Sequence, residues 1–182
     1  MPRVLVPLAE GCEEIEAVTI IDLLRRADIE VVVAGLQPGV VKASRGVQLV
    51  PDTTLDAVLD EDFDMVVLPR GMPGAAHLKA DARIITLLKN MAAAGRYTAA
   101  ICAAPIVLAE AGLLAGRRAT SYPGFLDALP DIQLSTATVV QDGQVLTSRG
   151  PGTAMDFALA LIEVLVGPDK RKQVEVPLLR PA

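Results

Sequence analysis

Short β-branched runs alternate with longer amphipathic stretches from one end of this chain to the other. Parallel strands need long crossovers between them, so this alternation predicts an α/β fold with a mostly parallel central sheet and helices on both faces. Val4–Leu8 reads as the first strand, Glu13–Ala27 as a helix and Glu30–Ala34 as the second strand. The Gly-punctuated segment 40–51 reads as a small hairpin or edge excursion. Met65–Leu68 is a further buried strand, followed by a Gly/Pro loop and a helix over about 81–94. Tyr97–Ile101 reads as a strand running directly into the helix that holds Ile106, Val107 and Leu108. Residues 138–147 have the form of a hairpin on an Asp142-Gly143 turn. Thr153 opens a long helix to about Val166, with Asp156 as a capping-box-like partner. The tail after Pro168 keeps Val174, Val176, Leu178 and Leu179 and is expected to pack. No internal repeat or low-complexity linker divides the chain, so residues 1–182 are expected to form one domain.

Composition narrows the function classes. Hydrophobic residues make up 52% of the chain and charged residues 21%, which excludes a solvated disordered chain. Aromatics are only 3%, too few for the stacking platforms of single-strand nucleic-acid binding. The net charge of −5 removes the electrostatic footprint of a DNA-binding protein. The longest uncharged stretch, Tyr97–Ala109, falls short of the roughly 20 apolar residues that span a bilayer, so no membrane partner is expected. Val4-Leu5-Val6 follows Met1 almost at once, without a signal-peptide pattern. Two cysteines are too few for a disulfide scaffold or a Cys-rich zinc site, and a reducing cytoplasm is the expected location. A single histidine, His77, removes most histidine-dependent chemistry.

In open α/β sheets ligands bind beyond the carboxyl ends of the strands. Three loops stand at that edge: 10–16, 69–74 and 101–105. Cys102 lies where a buried strand turns into a helix, among Ala100, Ala103 and Ala104, with Pro105 suited to the first helical turn. Small neighbours suit a sharp nucleophile elbow, and a thiol at a helix N-terminus has its pKa lowered. The same position also suits a buried structural cysteine. Glu16 falls on the apolar stripe of Ile20, Leu23, Leu24 and Ala27, whereas Glu13 and Glu14 suit the solvated first turn. Burial would raise the Glu16 pKa and make it a proton donor; a first-turn acid reaching past the edge into water fits the pattern equally. The glycines of loop 69–74 allow backbone N–H groups to approach a ligand as an oxyanion hole, or simply make a turn. His77 reads as a surface residue at a helix start. Cys12 reads as a loop cysteine, able to pair with Cys102 only if their Cα atoms lie within about 7 Å.

Three segments carry a specific resemblance: Glu13-Glu14-Ile15-Glu16, the run Ala99-Ala100-Ile101-Cys102-Ala103-Ala104-Pro105, and the run Thr147-Ser148-Arg149-Gly150-Pro151-Gly152-Thr153. Together they resemble the ThiJ/PfpI superfamily, in the branch of DJ-one and bacterial YajL, over nearly the whole chain. The resemblance implies a flavodoxin-like three-layer sandwich, a homodimer and cofactor-free, metal-free chemistry. It implies a reactive thiol at Cys102, an acid at Glu16 and oxyanion donors at the N–H groups of Gly71 and Ala103. The activities it implies are a glyoxalase turning methylglyoxal into lactate, a deglycase of glycated proteins, and a redox-sensing chaperone. Two positions depart from the family pattern. Arg70-Gly71 stands where Gly-Gly is usual, at a cost of about 1–2 kcal/mol if the first position needs φ > 0. Thr120-Ser121-Tyr122-Pro123 replaces Thr-Thr-His-Pro, so Tyr122 takes the place of a histidine at the pocket wall and is expected to be non-essential.

Two functions follow from the same thiol. One is a cysteine-dependent glyoxalase or deglycase acting on small dicarbonyls or their adducts, in carbonyl and oxidative stress defence. The other is a non-enzymatic peroxide sensor or chaperone in which Cys102 is oxidised. Peptidase activity is disfavoured, because no base is evident to regenerate the nucleophile.

Overall fold

Each central strand alternates its side chains between two hydrophobic layers. Val4, Val6, Met65, Val67, Ala99 and Ile101 face one layer, while Leu5, Val66, Leu68 and Ala100 face the other. Strands buried on both faces read as continuous apolar runs, and they require helices above and below. The computed structural model, which describes residues 1–181, has that architecture.

In chain order the elements begin with β1 (Arg3–Leu8), α1 (Glu14–Arg26), β2 (Glu30–Gly35), β3 (Val41–Lys42), β4 (Gln48–Leu49), β5 (Thr53–Thr54) and α2 (Leu55–Val58). The middle of the chain supplies β6 (Met65–Leu68), α3 (Gly74–Ala80), α4 (Ala82–Ala93), β7 (Tyr97–Ile101) and α5 (Pro105–Glu110). The remainder is β8 (Arg118–Ala119), β9 (Gln133–Leu134), β10 (Val139–Asp142), β11 (Val145–Ser148), α6 (Ala154–Val166) and α7 (Pro168–Glu175). The main sheet has the order β10-β11-β7-β6-β1-β2-β5, parallel except for the β10–β11 hairpin. Helices α1 and α6 pack together on one face, and α4 and α5 lie on the other.

The chain moves outward from β1 to β2 and β5, then crosses back to β6 and β7. The sheet order therefore reverses between β1 and β6, where the loops leaving the two strands diverge and open a crevice. Loops 10–16 and 69–74 leave β1 and β6 at that crevice, and residues 102–104 leave the adjacent β7.

Segment 40–51 contains the antiparallel β3–β4 hairpin; in the tail Val174 is buried against the core and Leu178 packs partly on it, whereas Val176 and Leu179 are exposed, against expectation. Several expectations need correction. The strand β5, the helices α2 and α3 and the small β8–β9 pair are additional elements, too short to show a period. Thr153 does not cap α6 with its side chain: its Oγ1 lies 2.7 Å from Ser148 Oγ and accepts from the Gly150 N–H at 3.1 Å. Asp156 is held instead by Arg180 at 2.5 Å. Glu14 stays in the first turn of α1 but is buried rather than solvated, accepting from Ser44 Oγ at 2.9 Å and the Arg45 N–H at 2.7 Å. Among the described residues, no helix is long and apolar enough to cross a membrane.

Candidate active site

Cys102 follows directly on β7 with φ at 64°, one of few non-glycine residues in the left-handed region. That conformation costs an L-residue roughly 1–2 kcal/mol, so neighbouring bonds must hold it. The Cys102 N–H donates to Ser148 O at 3.1 Å, and its carbonyl accepts from the Tyr122 N–H at 2.8 Å. The Ala104 N–H donates to Ile101 O at 3.1 Å, closing the turn. Ala103 and Ala104 are fully buried beneath the elbow, which leaves room only for small side chains. The thiol is 7% exposed, at the rim of the core rather than inside it.

Glu13 caps α1, its carboxylate accepting from the Glu16 N–H at 2.8 Å. This fixes the first turn so that Glu16 points inward with no accessible surface. Among the described residues, neither of its carboxyl oxygens has a partner at ordinary hydrogen-bond geometry. The Cys102 thiol and the backbone at Arg70 are still near enough to act on its ionisation, so the contact with sulfur is close but loose. Burial pushes the Glu16 carboxyl up to about 8, with the charge of Glu13 adding to the rise and Cys102 opposing it. Glu16 therefore keeps its proton at neutral pH.

The thiol behaves differently from the sequence expectation. Burial pushes Cys102 up, to about 12, and an ionised Glu16 adds to that rise, while the Ala103 N–H opposes it. The six-residue helix α5 does not begin until Pro105, and its weak field is outweighed by desolvation. A protonated Glu16 removes the repulsion and supplies a donor instead. The two groups titrate as a pair that holds both protons below about pH 8 and a single negative charge above it.

Gly71 is half-buried, and no backbone acceptor among the described residues takes its N–H. The Ala103 N–H donates to Arg70 O at 3.1 Å, so this second donor is engaged in the resting protein. Tyr122 is 49% exposed, its ring edge-on to Phe125 at 6.2 Å. Its backbone is bound to Cys102, which places it at the rim. His77 lies within α3 rather than at a helix start; it is exposed, with Nδ1 3.1 Å from Glu10 O. Cys12 and Cys102 are both free thiols. Cys12 has no accessible surface and is pushed up to about 11 by burial, with Arg70 opposing.

The sequence marks Arg70 as a departure in the oxyanion loop but does not show where its side chain goes. Arg70 does not adopt positive φ, so the expected strain at this position is absent. Its guanidinium is instead wholly buried beneath the loop. The only signal in the sequence was a long cation where glycine is usual. A cleft of about 420 Å³ at the same sheet edge is lined by Glu10, Leu36, Val41, His77 and Asp81, and contains neither Cys102 nor Glu16. Chemistry rather than volume locates the candidate site, since that cleft offers no nucleophile. Among the described residues, no three of His, Cys, Asp and Glu converge to hold a metal ion.

Residues 2–164 match the model of the DJ-1/PfpI family. The chain is 46% identical over 178 residues to Protein dj-1beta of Drosophila melanogaster, covering 96% of this chain and 95% of that protein. It is 37% identical over 171 residues to the Glutathione-independent glyoxalase DJR-1.2 of Caenorhabditis elegans, covering 93% and 91%. The crystal structure of Drosophila DJ-1beta superposes with a TM-score of 0.96 at 44% identity over 100% of this chain and 99% of that one. Oxidized Toxoplasma gondii DJ-1 superposes with a TM-score of 0.96 at 43% identity over 100% of both chains. With its sandwich, its strained cysteine elbow and these likenesses in agreement, the chain belongs to the DJ-1/PfpI family.

Proposed function

We propose that this protein is a cofactor-independent, cysteine-dependent enzyme of glyoxalase or deglycase type. Its substrates in this reading are methylglyoxal-like dicarbonyls or their adducts, and its role is carbonyl and oxidative stress defence in the cytoplasm. The observation that carries the reading is the pairing of Cys102, on a strained elbow, with a buried Glu16 that keeps its proton at neutral pH. Similarity to a relative named as a glutathione-independent glyoxalase supports it.

In this mechanism the Cys102 thiolate attacks the aldehyde carbon, forming a C–S bond as the carbonyl electron pair moves to oxygen. The Gly71 N–H, without a backbone acceptor, meets the developing oxyanion, and the Ala103 N–H joins it by giving up the Arg70 carbonyl. Glu16 passes its proton to that oxygen. Its carboxylate then takes the hydrogen of the former aldehyde carbon and returns it to the adjacent carbon, while the hydroxyl proton passes from the first oxygen to the former ketone oxygen. The aldehyde carbon is oxidised and the ketone carbon reduced, so no external redox partner is needed. Water cleaves the resulting thioester, releasing lactate and the thiol. The test is lactate formation from methylglyoxal without glutathione; rates proportional to protein concentration are expected, and no lactate from neutral to mildly alkaline pH would contradict the reading.

Tyr122 has no part in proton transfer here, since a phenol with a pKa of about 10 is a poor acceptor near neutrality. Tyr122→Phe is expected to keep more than about half of the turnover, as a rim residue should. A loss of several hundredfold with the fold intact would make it a catalytic group.

A second reading, a peroxide sensor or chaperone, draws on accessibility. Cys102 is 7% exposed and Cys12 0%, although burial raises both thiols. Limiting peroxide is expected to leave sulfenic or sulfinic acid mainly on Cys102, read by mass spectrometry of both peptides. Equal oxidation of the two thiols would remove this reading. For assembly we propose a homodimer, supported by the exposed apolar side chains Ile15 and Val18 on the outer face of α1.

A further inference from the structure

Glu14 is a buried carboxylate for which the proposed mechanism has no use. Each of its oxygens takes one bond from the turn between β3 and β4: Oε2 accepts from Ser44 Oγ at 2.9 Å and Oε1 from the Arg45 N–H at 2.7 Å. Burial alone would raise its carboxyl, but hydrogen bonds from its own backbone, Ser44 and Arg45 outweigh this and hold it below the ordinary range. The same hairpin is tied to the loop that precedes α1. The Gly11 N–H donates to Lys42 O and the Ser44 N–H to Cys12 O, both at 2.8 Å, and the Lys42 N–H donates to Glu10 Oε1 at 3.1 Å.

The loop held in this way packs on the other two loops of the site. A Cβ at Gly11 would lie 2.7 Å from Pro73 Cδ, and one at Gly71 would lie 3.5 Å from the Glu13 Cβ, so loop 10–16 rests directly on loop 69–74. That loop in turn accepts the Ala103 N–H at Arg70 O, 3.1 Å away, and Cys102 shares its core layer with Ala17 and Ile20 of α1. Contacts therefore run unbroken from the hairpin, through the first turn of α1, to the cysteine elbow. Glu14 sits on that turn between Glu13, which caps it, and Glu16, which faces inward. Helix ends fray, and Glu14 is the side chain that anchors this one to a separate element.

We propose that Glu14 is a positioning residue: by latching the β3–β4 hairpin to the first turn of α1, it holds the inward-facing Glu16 carboxyl at the Cys102 sulfur. This rests on the pairing of Cys102 with Glu16 under the proposed function, though not on glyoxalase turnover. Glu13 bears on both members of the pair and Arg70 on Glu16, and both residues are kept in every variant below. Removing the Glu14 charge would by itself ease ionisation of the thiol, whereas losing the latch deprives the thiolate of its donor. The two effects have opposite signs. The rival role is a staple that stabilises the hairpin without touching the site.

The experiment measures the rate of Cys102 alkylation by iodoacetamide, an uncharged reagent, against pH, with the modified peptide read by mass spectrometry. Glu14→Ala removes both acceptors. Glu14→Gln removes the charge, yet its carbonyl can accept from the Arg45 N–H while its amide donates to Ser44 Oγ. Glu14→Ala is expected to raise the midpoint of alkylation by about one pH unit, and Glu14→Gln to leave it near the wild-type value. Ser44→Ala, which removes one of the two bonds, is the second latch variant should Glu14→Ala fail to fold, with a smaller upward shift expected. In a Glu16→Leu background the latch variant is expected to add nothing, because the donor it positions is gone. An unmoved or lowered midpoint in the latch variant, an equal shift in Glu14→Gln, or an undiminished shift in the Glu16→Leu background would overturn the proposal. If Glu16→Leu alone moves the midpoint and the latch variant does not, only the Glu14 assignment falls; if neither moves it, the pairing falls as well.

Discussion

Cys102→Ser is expected to lower lactate formation from methylglyoxal by roughly three orders of magnitude or more, without loss of the fold. Serine fits the space of the thiol, so the elbow bonds to Ser148, Tyr122 and Ile101 persist. The lost property is ionisation. A hydroxyl needs a base to become a nucleophile, and this site offers none: Glu16 is protonated at neutral pH, Tyr122 is bound through its backbone, and His77 is engaged with Glu10. Oxyanion donors alone cannot begin the reaction. Turnover is measured as lactate at saturating substrate, with circular dichroism on the same sample. A variant within about tenfold of wild type would show that the chemistry does not pass through this sulfur.

The second large effect is expected at Glu16, where two substitutions divide its roles. Glu16→Leu removes both the donor to the thiolate and the transferable proton, so turnover and peroxide oxidation should both slow. Glu16→Gln retains an N–H donor but cannot carry a proton between carbons, so it should spare thiol ionisation while abolishing turnover. Stability should move in the opposite direction. Burial raises the Glu16 carboxyl from an ordinary 4.5 to about 8, so the fold binds an extra proton within that window. Its contribution therefore declines as pH rises from about 4.5 to about 8, by up to roughly 1.4 kcal/mol per pH unit. Glu16→Leu removes that decline and should be the more resistant to denaturant at pH 8. Denaturation midpoints for the two proteins at pH 6 and pH 8 check this; an equal pH dependence would mean that Glu16 does not titrate in this window.

The sheet was legible because its strands are buried on both faces and its long helices show a clear apolar stripe. The strand β5, helices α2 and α3, and the β8–β9 pair were not, because two to seven residues cannot display a period. The elbow at Cys102 and the inward face of Glu16 were both readable, one from small neighbours and the other from the spacing to Ile20 and Leu24. For the Cys102 thiol, the sequence shows the helix end that lowers its pKa but not the burial that raises it. A helix end is visible in sequence, whereas desolvation depends on which distant segments close over the sulfur. Arg70 shows the same gap. A cation in a Gly/Pro loop gives no local sign that Pro7 and Gly74 will bury it, and the expected backbone strain falls on Cys102 instead.

The central claim is that, in the form that attacks the substrate, the negative charge rests on the Cys102 sulfur while the Glu16 carboxyl keeps its proton and donates to it. Ultraviolet thiolate absorbance against pH, in wild type and Glu16→Leu, tests it most directly, with Cys102→Ser subtracting any signal from Cys12. A hydrogen bond to a charged group contributes about 1.5–3 kcal/mol, so the account predicts that Glu16→Leu raises the Cys102 midpoint by roughly one to two pH units. An unmoved midpoint would show that the two groups are uncoupled, and a lowered one that Glu16 is ionised and repels the thiolate; either result contradicts the account.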